Sequence, residues 1–346
     1  MQPPAPAPRG RNQRRGLSAG GDSAPALLPP RPHRRNAHRH RARRAAAAAP
    51  CAAAQPAGAA PPALVHRAGA SHPRIAAARR RTGGFRRGDA AARHPAASEG
   101  TRMMQKNTIT VTSDKITQPF TFAFAADFHN GDADEALALM RGCDAILIGG
   151  DLVNRHSRHG WRNAARFLDL APRVAPTFYN LGNHERLLPD IAEYLPLVQK
   201  SDVTVLDDCF VDFRGITLGG VSSARKMPGI PPVRAQMDAK KPFLQAMAAR
   251  DGFKLLLCHH PEYFAPLVQG LDIDLTLAGH AHGGQVRIGS QGIYSPGQGL
   301  FPKLTSGFYF DDKLFISRGM TNSACAPRLW CPCELVMVRL LPNRAN

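Results

Sequence analysis

The first 102 residues contain no lysine, one aromatic side chain (Phe85) and three acids, Asp22, Asp89 and Glu99. Twenty arginines against those three acids give +17 of the chain's +19, which leaves +2 for residues 103–346. The high isoelectric point is therefore a property of the first segment. A stretch so poor in aromatic and branched apolar residues cannot bury enough surface to offset its ordering entropy, so a packed core is excluded there. Nowhere is there an apolar run of ~18 residues, so no membrane-spanning helix is expected. Arg14-Arg15 and Arg34-Arg35 lack a following apolar stretch, which argues against a secretory or twin-arginine leader. Seven cysteines, at 51, 143, 209, 258, 325, 331 and 333, form no disulfide-like pattern. Cys331-Pro-Cys333 has only Cys325 nearby, too few sulfurs for a structural zinc site. The expectation is reduced thiols in a cytoplasmic protein, with Cys143 and Cys258 as small core residues.

Three readings fit the arginine-rich segment. It is disordered; or it is an arm for nucleic acid or an anionic membrane; or it belongs to a GC-rich upstream frame that is not translated, since Met103-Met104 sits at the composition break. No folded nucleic-acid reader accompanies it, so no nucleic-acid partner is expected. The chain divides into a disordered segment over 1–105 and one domain over 106–346, long enough for a sizeable core.

In that domain, apolar runs alternate with helical patterns. Strands are expected at Phe120–Ala126, Asp144–Ile148, Thr177–Leu181, Phe253–Cys258 and Ile273–Ala278. Val203–Leu206, Cys209–Phe213 and Ile216–Val221 read as an antiparallel meander, and Gln285–Ile288, Lys313–Ser317 and Glu334–Leu341 as further strands. Helices are expected at Asp132–Met140, Trp161–Leu170, Asp190–Lys200 (ended or kinked at Pro196) and Asp238–Arg250. Gly289–Phe310 reads as a long loop or hairpin. The pattern predicts an α/β protein with two packed mixed sheets and helices outside, a four-layer α-β-β-α sandwich.

Five short motifs follow five of these apolar runs: Asp127-Phe-His129, Gly-Asp151, Gly-Asn183-His184-Glu, His259-His-Pro and Gly-His280-Ala-His282-Gly. Each alone would read as a turn or a surface pair. Together, in this order and each at a strand's end where ligand sites form in α/β sheets, they point to metal chemistry. Residues two apart on an extended segment point the same way, so Asp127 and His129 can grip one ion, and His280 and His282, with the same spacing, can face the same pocket. A carboxylate such as Asp151 can bridge two ions. Two divalent cations, two carboxylates and a bridging hydroxide leave about one positive charge, suited to an anionic phosphate and to a hydroxide nucleophile. Nitrogen and oxygen donors without thiolate favour manganese, iron or zinc.

The set DFH, GGDLVNR, GNHE, CHHP and GHAHGGQ resembles the calcineurin-like metallophosphoesterase superfamily. The ending SRGMTNSACAPRLWCPCEL resembles its branch of small bacterial YkuE/YaeI-like phosphodiesterases. The resemblance covers roughly residues 118–342. It implies one metal on Asp127, His129, Asp151 and His282, and a second on Asp151, Asn183, His259 and His280. His184 would stabilise the attacked phosphate or protonate the leaving oxygen. His259 is the expected ligand because it stands two before Pro261; His260 is the runner-up. Asn154 occupies a position that often carries Asp in relatives, an outer-shell difference. Arg318, and less so Arg225-Lys226, are candidates to contact a substrate phosphate.

The implied activity is hydrolysis of phosphate esters, phosphodiesters first. A non-catalytic metal-binding scaffold of the same fold, or a phosphomonoesterase or pyrophosphatase acting on a nucleotide-sugar lipid, are the alternatives. Expected partners are a small-molecule or lipid-headgroup phosphoester and no membrane span, in a monomeric protein.

Overall fold

The structure, a computed structural model, describes residues 104–343 apart from 158–159, 226–229 and 323–326. In chain order the elements are β1 (Gln105–Ser113), β2 (Phe120–Ala125), α1 (Ala133–Met140), β3 (Ala145–Ile148), α2 (Arg162–Val174), β4 (Thr177–Tyr179), α3 (Asn183–Arg186) and α4 (Ile191–Lys200). There follow β5 (Val203–Val205), β6 (Cys209–Phe213), β7 (Ile216–Val221), α5 (Val233–Ala248), β8 (Phe253–Cys258) and β9 (Leu275–Ala278). Short ribbons β10 (Arg287–Ile288) with β11 (Gln291–Gly292) and β12 (Tyr294–Ser295) with β13 (Gly299–Leu300) lead to β14 (Gly307–Tyr309), β15 (Leu314–Ile316) and β16 (Glu334–Pro342).

Two six-stranded mixed sheets result, ordered β1-β16-β2-β3-β4-β5 and β14-β15-β9-β8-β7-β6. Strands β2 to β5 run parallel in the first, and β7, β8, β9 and β15 run parallel in the second. Side-chain alternation makes the layers. Phe120, Phe122 and Phe124 of β2 join Leu255 and Leu257 of β8 and Leu275 and Leu277 of β9 in the core between the sheets. The intervening Ala123 and Ala125 face the other way, under α1 and α2. Leu256 and Cys258 of β8 likewise face away, against Phe243, Leu244 and Met247 of α5. Each sheet is buried on both faces, as the uninterrupted apolar runs required.

Several expectations need correction. Strand β1 was not foreseen, and Gln105, placed in the arginine-rich segment, is its first residue, paired with Glu334. Strand β5 pairs parallel with β4 in the first sheet, so the chain crosses between sheets before β6, and of the three strands expected in the meander β6 and β7 alone pair antiparallel. Helix α4 runs through Pro196, α2 contains Pro172, and α5 begins at Val233 and contains Pro242. Burial of Tyr194 and Val198 in α4 outweighs the missing backbone bond. Cys143, Cys258, Cys331 and Cys333 are free thiols. Cys51, Cys325 and Lys226 lie outside the described residues, as does most of the arginine-rich segment. No helix among the described residues is long and apolar enough to cross a membrane.

Candidate metal centre

The C-terminal ends of β2, β3, β4, β8 and β9 deliver the five motifs to one place. The β2 and β3 loops are joined by backbone bonds from Asp127 N to Gly150 O (3.1 Å), His129 N to Asp151 O (3.0 Å) and Asn130 N to Leu152 O (3.0 Å). The β4 loop docks through His184 N to Asp151 Oδ1 (2.8 Å). The second sheet is tied in by His280 N to Asp127 Oδ2 (3.0 Å) and by a 2.9 Å contact between His259 Nδ1 and Gly149 O.

This convergence demands unusual backbone. Asp127, His129, Asp151, His280 and His282 all have positive φ, between 45° and 64°. Asp and His tolerate that region better than branched residues, yet each costs stability, and such strain collects at functional sites. Gly150, at φ 100°, serves both needs: a Cβ there would strain the turn and lie 2.7 Å from His259 Nδ1.

The grouped donors can hold cations. Asp127, His129 and His282 bring ligand atoms within 4.8 Å of one another, as do Asp151, His259 and His280, and also His129, Asp151 and His184. Asp151 stands between the first two groups, its Oδ2 3.1 Å from His259 Nε2 and 3.9 Å from His129 Nε2. Asn183 Oδ1 and His129 Nε2 are buried without a hydrogen-bond partner. Orphaned buried polar atoms are costly, and a cation would satisfy both. The donor set therefore fits a two-cation site.

Electrostatics agree. Burial opposes ionisation of Asp151, yet His259, His184 and His129 hold its carboxyl well below the usual carboxylate range. Burial, with the Asp151 charge beside it, lifts Asp127 to about 7 despite His259 and the His280 N–H. Burial lowers His129 to about 3 and pushes His280 and His282 well down, so these rings stay neutral and available as ligands. His259 departs from this pattern. Burial would lower it, but Asp151 and Asp127 together raise it to about 10.

His184 is the most open imidazole of the set, its side chain 14 % exposed. Its Nδ1 accepts from Arg155 N (3.1 Å), so in the neutral ring the hydrogen sits on Nε2, which lies 3.9 Å from Asp151 Oδ2. Burial lowers its pKa, which keeps the ring neutral near pH 7.

Other expected residues are placed differently. His260 groups with Glu262 and His280 rather than with Asp151. Arg318 is committed elsewhere: Nη2 pairs with Glu334 Oε2 (2.5 Å), and its backbone N donates to Oε1 (2.8 Å). That pairing satisfies a buried carboxylate. Asn154 accepts from His156 N (2.9 Å), closing a local turn. Arg225 lies after β7, its backbone N donating to Gln236 Oε1 (2.9 Å).

Three residues escaped sequence reasoning. Glu185 is buried and accepts from the backbone N of Gly182 (2.8 Å), Asp151 (3.0 Å) and Val153 (3.2 Å). Its only sequence signal was its place after Asn183-His184. Arg328 Nη2 lies 2.9 Å from His282 Nδ1 and also donates to Thr321 O (2.6 Å). Glu262 lies 3.8 Å from His280 Nε2. Neither of the last two carried a sequence signal.

The cluster of carboxylates and imidazoles at the shared edge of the two sandwiched sheets lies within the stretch that the calcineurin-like phosphoesterase family model matches, residues 120–284. Relatives narrow the branch. The chain is 26 % identical over 236 residues to the "Phosphodiesterase YaeI" of Escherichia coli (strain K12), covering 64 % of this chain and 83 % of that protein. It is 24 % identical over 245 residues to the "Uncharacterized protein YpbG" of Bacillus subtilis (strain 168), covering 68 % and 87 %. It is 31 % identical over 211 residues to an "Uncharacterized metallophosphoesterase" of Helicobacter pylori (strain J99), covering 58 % of this chain. The chain spans about half the length of that relative, 52 %.

Proposed function

We propose that the chain hydrolyses phosphate esters, phosphodiesters foremost, at a two-cation centre. The observation that carries this is Asp151, which shares one ligand group with His259 and His280 and another with His129 and His184. Asp127, His129, Asp151 and His282 would hold one cation, and Asp151, Asn183, His259 and His280 the other. Manganese, iron or zinc suits these donors. Bound cations would supply Lewis-acid polarisation of a phosphoryl oxygen and an activated water.

The chain's own groups do the rest. His259, His184 and His129 hold Asp151 anionic, the His184 backbone N–H donates to its Oδ1, and Glu185 fixes its loop by accepting from the Asp151 backbone N. His184 presents Nε2–H toward the open side, where it donates to a phosphoryl oxygen as negative charge builds. Its lowered pKa favours that role over delivering a proton to the leaving oxygen. The name of the Escherichia coli relative supports a diester.

The purified protein with manganese is expected to turn over bis-p-nitrophenyl phosphate. Asp151→Ala should lower the rate by more than about a hundredfold and reduce bound metal. Equal rates for the two proteins with manganese, iron and zinc would refute the proposal.

A further inference from the structure

Six of the large hydrophobic side chains exposed among the described residues share one small lobe: Ile288 (68 %), Tyr294, Leu300 (70 %), Phe301 (65 %), Leu329 and Trp330 (73 %). Exposed apolar residues scattered singly mean little, but a cluster marks a surface with a partner. The lobe is continuous. Leu329 bridges to Val286, and Arg287 N donates to Leu329 O. Ile293 N donates to Val286 O, and Phe301 N to Ile293 O. Tyr294 stands opposite Leu300 across the β12–β13 ribbon, so their side chains share a face.

The lobe also adjoins the metal centre. A Cβ on Gly297, at the tip of the β12–β13 ribbon, would meet Glu262 Oε1 and lie 3.1 Å from His280 Nε2. The next residue, Gln298, begins a largely apolar groove of about 460 Å³ that runs past Phe301, Pro302 and Leu304 to Phe310, with Lys303 in its wall. From Leu275 to Phe310 the chain has no acidic residue, while Arg287 and Lys303 are basic. Exposed aromatic and aliphatic side chains around the exposed Lys303 match an anionic lipid–water interface.

We propose that this lobe docks on a lipid surface and brings a lipid-borne phosphodiester to the metal centre beside it. The delivery rests on the phosphoesterase reading; the docking does not. A lipid surface is favoured over a second copy of the chain because the lobe's exposed apolar side chains flank the exposed Lys303 and a groove that starts one residue from Gly297, beside His280.

The test uses the full chain and vesicles of phosphatidylcholine with about one quarter phosphatidylglycerol. It is run at low salt and at about 0.5 M NaCl, where screening acts within ~4 Å. The arginine-rich segment can bind such vesicles electrostatically, and that binding fades with salt. The lobe's apolar contact survives it. Sedimentation at high salt should retain the protein on vesicles, and Leu300→Ser/Phe301→Ser/Trp330→Ser should weaken this at least about tenfold. Trp330 gives a second readout, because the other tryptophan, Trp161, packs against Tyr194. Its emission should move to shorter wavelength on vesicle addition.

Binding that vanishes at high salt, or that the triple variant leaves unchanged, overturns the proposal. So does a concentration-dependent dimer abolished by the triple variant without vesicle binding, which would make a second copy the occupant. Hydrolysis of bis-p-nitrophenyl phosphate should be the same in both proteins. If neither turns it over while vesicle binding behaves as expected, the phosphoesterase reading falls and the docking stands.

Discussion

At the scale of single residues, protons and cations compete for the same atoms. Without a cation, Asp127 sits at about 7, chiefly through burial, and Asp151 and Asp127 hold His259 up to about 10 against its burial. At pH 7 the site therefore carries a proton on His259 and part of one on Asp127. Cation binding must expel both. Asp127 gains protons as pH falls through 7, and the cation must displace the proton on His259 as well, so manganese affinity should drop as pH is lowered. Calorimetry at pH 7 in two buffers of different ionisation enthalpy should show more than about one proton released per chain. Identical heats in the two buffers would contradict the charge states assigned here. His184 makes a different prediction, because it is placed to donate rather than to ligate. His184→Ala should lower kcat by about 100- to 1000-fold, the usual loss for one preorganised donor. Metal content should stay at the wild-type level; a parallel loss of metal would recast His184 as a ligand.

At the scale of elements, the strands that carry the site were legible and their surroundings were not. Phe120–Ala125 and Phe253–Cys258 are buried on both faces, so their apolar runs are uninterrupted and end where the ligands begin. Strand β1 (QKNTITVTS) is polar and mostly exposed, and its partner β16 lies at the far end of the chain. Nothing local marks such a pairing. Pro196 of α4 misled for a related reason, since packing decided and propensity did not. In the site, the ligand types followed from the motifs, whereas the role of Glu185 did not. A carboxylate whose partners are three backbone N–H groups in two loops leaves no trace in spacing. Glu185→Gln keeps one acceptor oxygen and removes the charge that holds those groups. A loss of about 1–3 kcal/mol is expected, read as a fall in Tm of about 2–4 °C per kcal/mol for a domain of this size. Manganese affinity should fall with it. Unchanged stability and affinity would show that the loops around Asp151 hold themselves.

At the scale of the molecule, the question is where the folding unit begins. The +17 of residues 1–102 contrasts with the near-neutral remainder, yet β1 starts only two residues past Met103 and runs parallel to β16 from Gln105↔Glu334 to Ser113↔Pro342. Little of β1 is buried, so its contribution is chiefly the backbone ladder and the cover it gives to the edge of β16. Strand β16 is the opposite: Leu335, Val336, Met337, Val338 and Leu340 are all buried. Stripped of β1, it would present a long apolar strand with open N–H and C=O groups, the arrangement that templates edge-to-edge association. A chain beginning at Met104 should therefore match the full chain in Tm and in hydrolysis of bis-p-nitrophenyl phosphate. It should also lose the salt-sensitive retention on a polyanion column that twenty arginines impose. A chain beginning at Asp114 should melt lower and elute from size exclusion as aggregates. If that shorter chain stayed monomeric with an unchanged Tm, β1 would be an accessory strand and the domain would start after it.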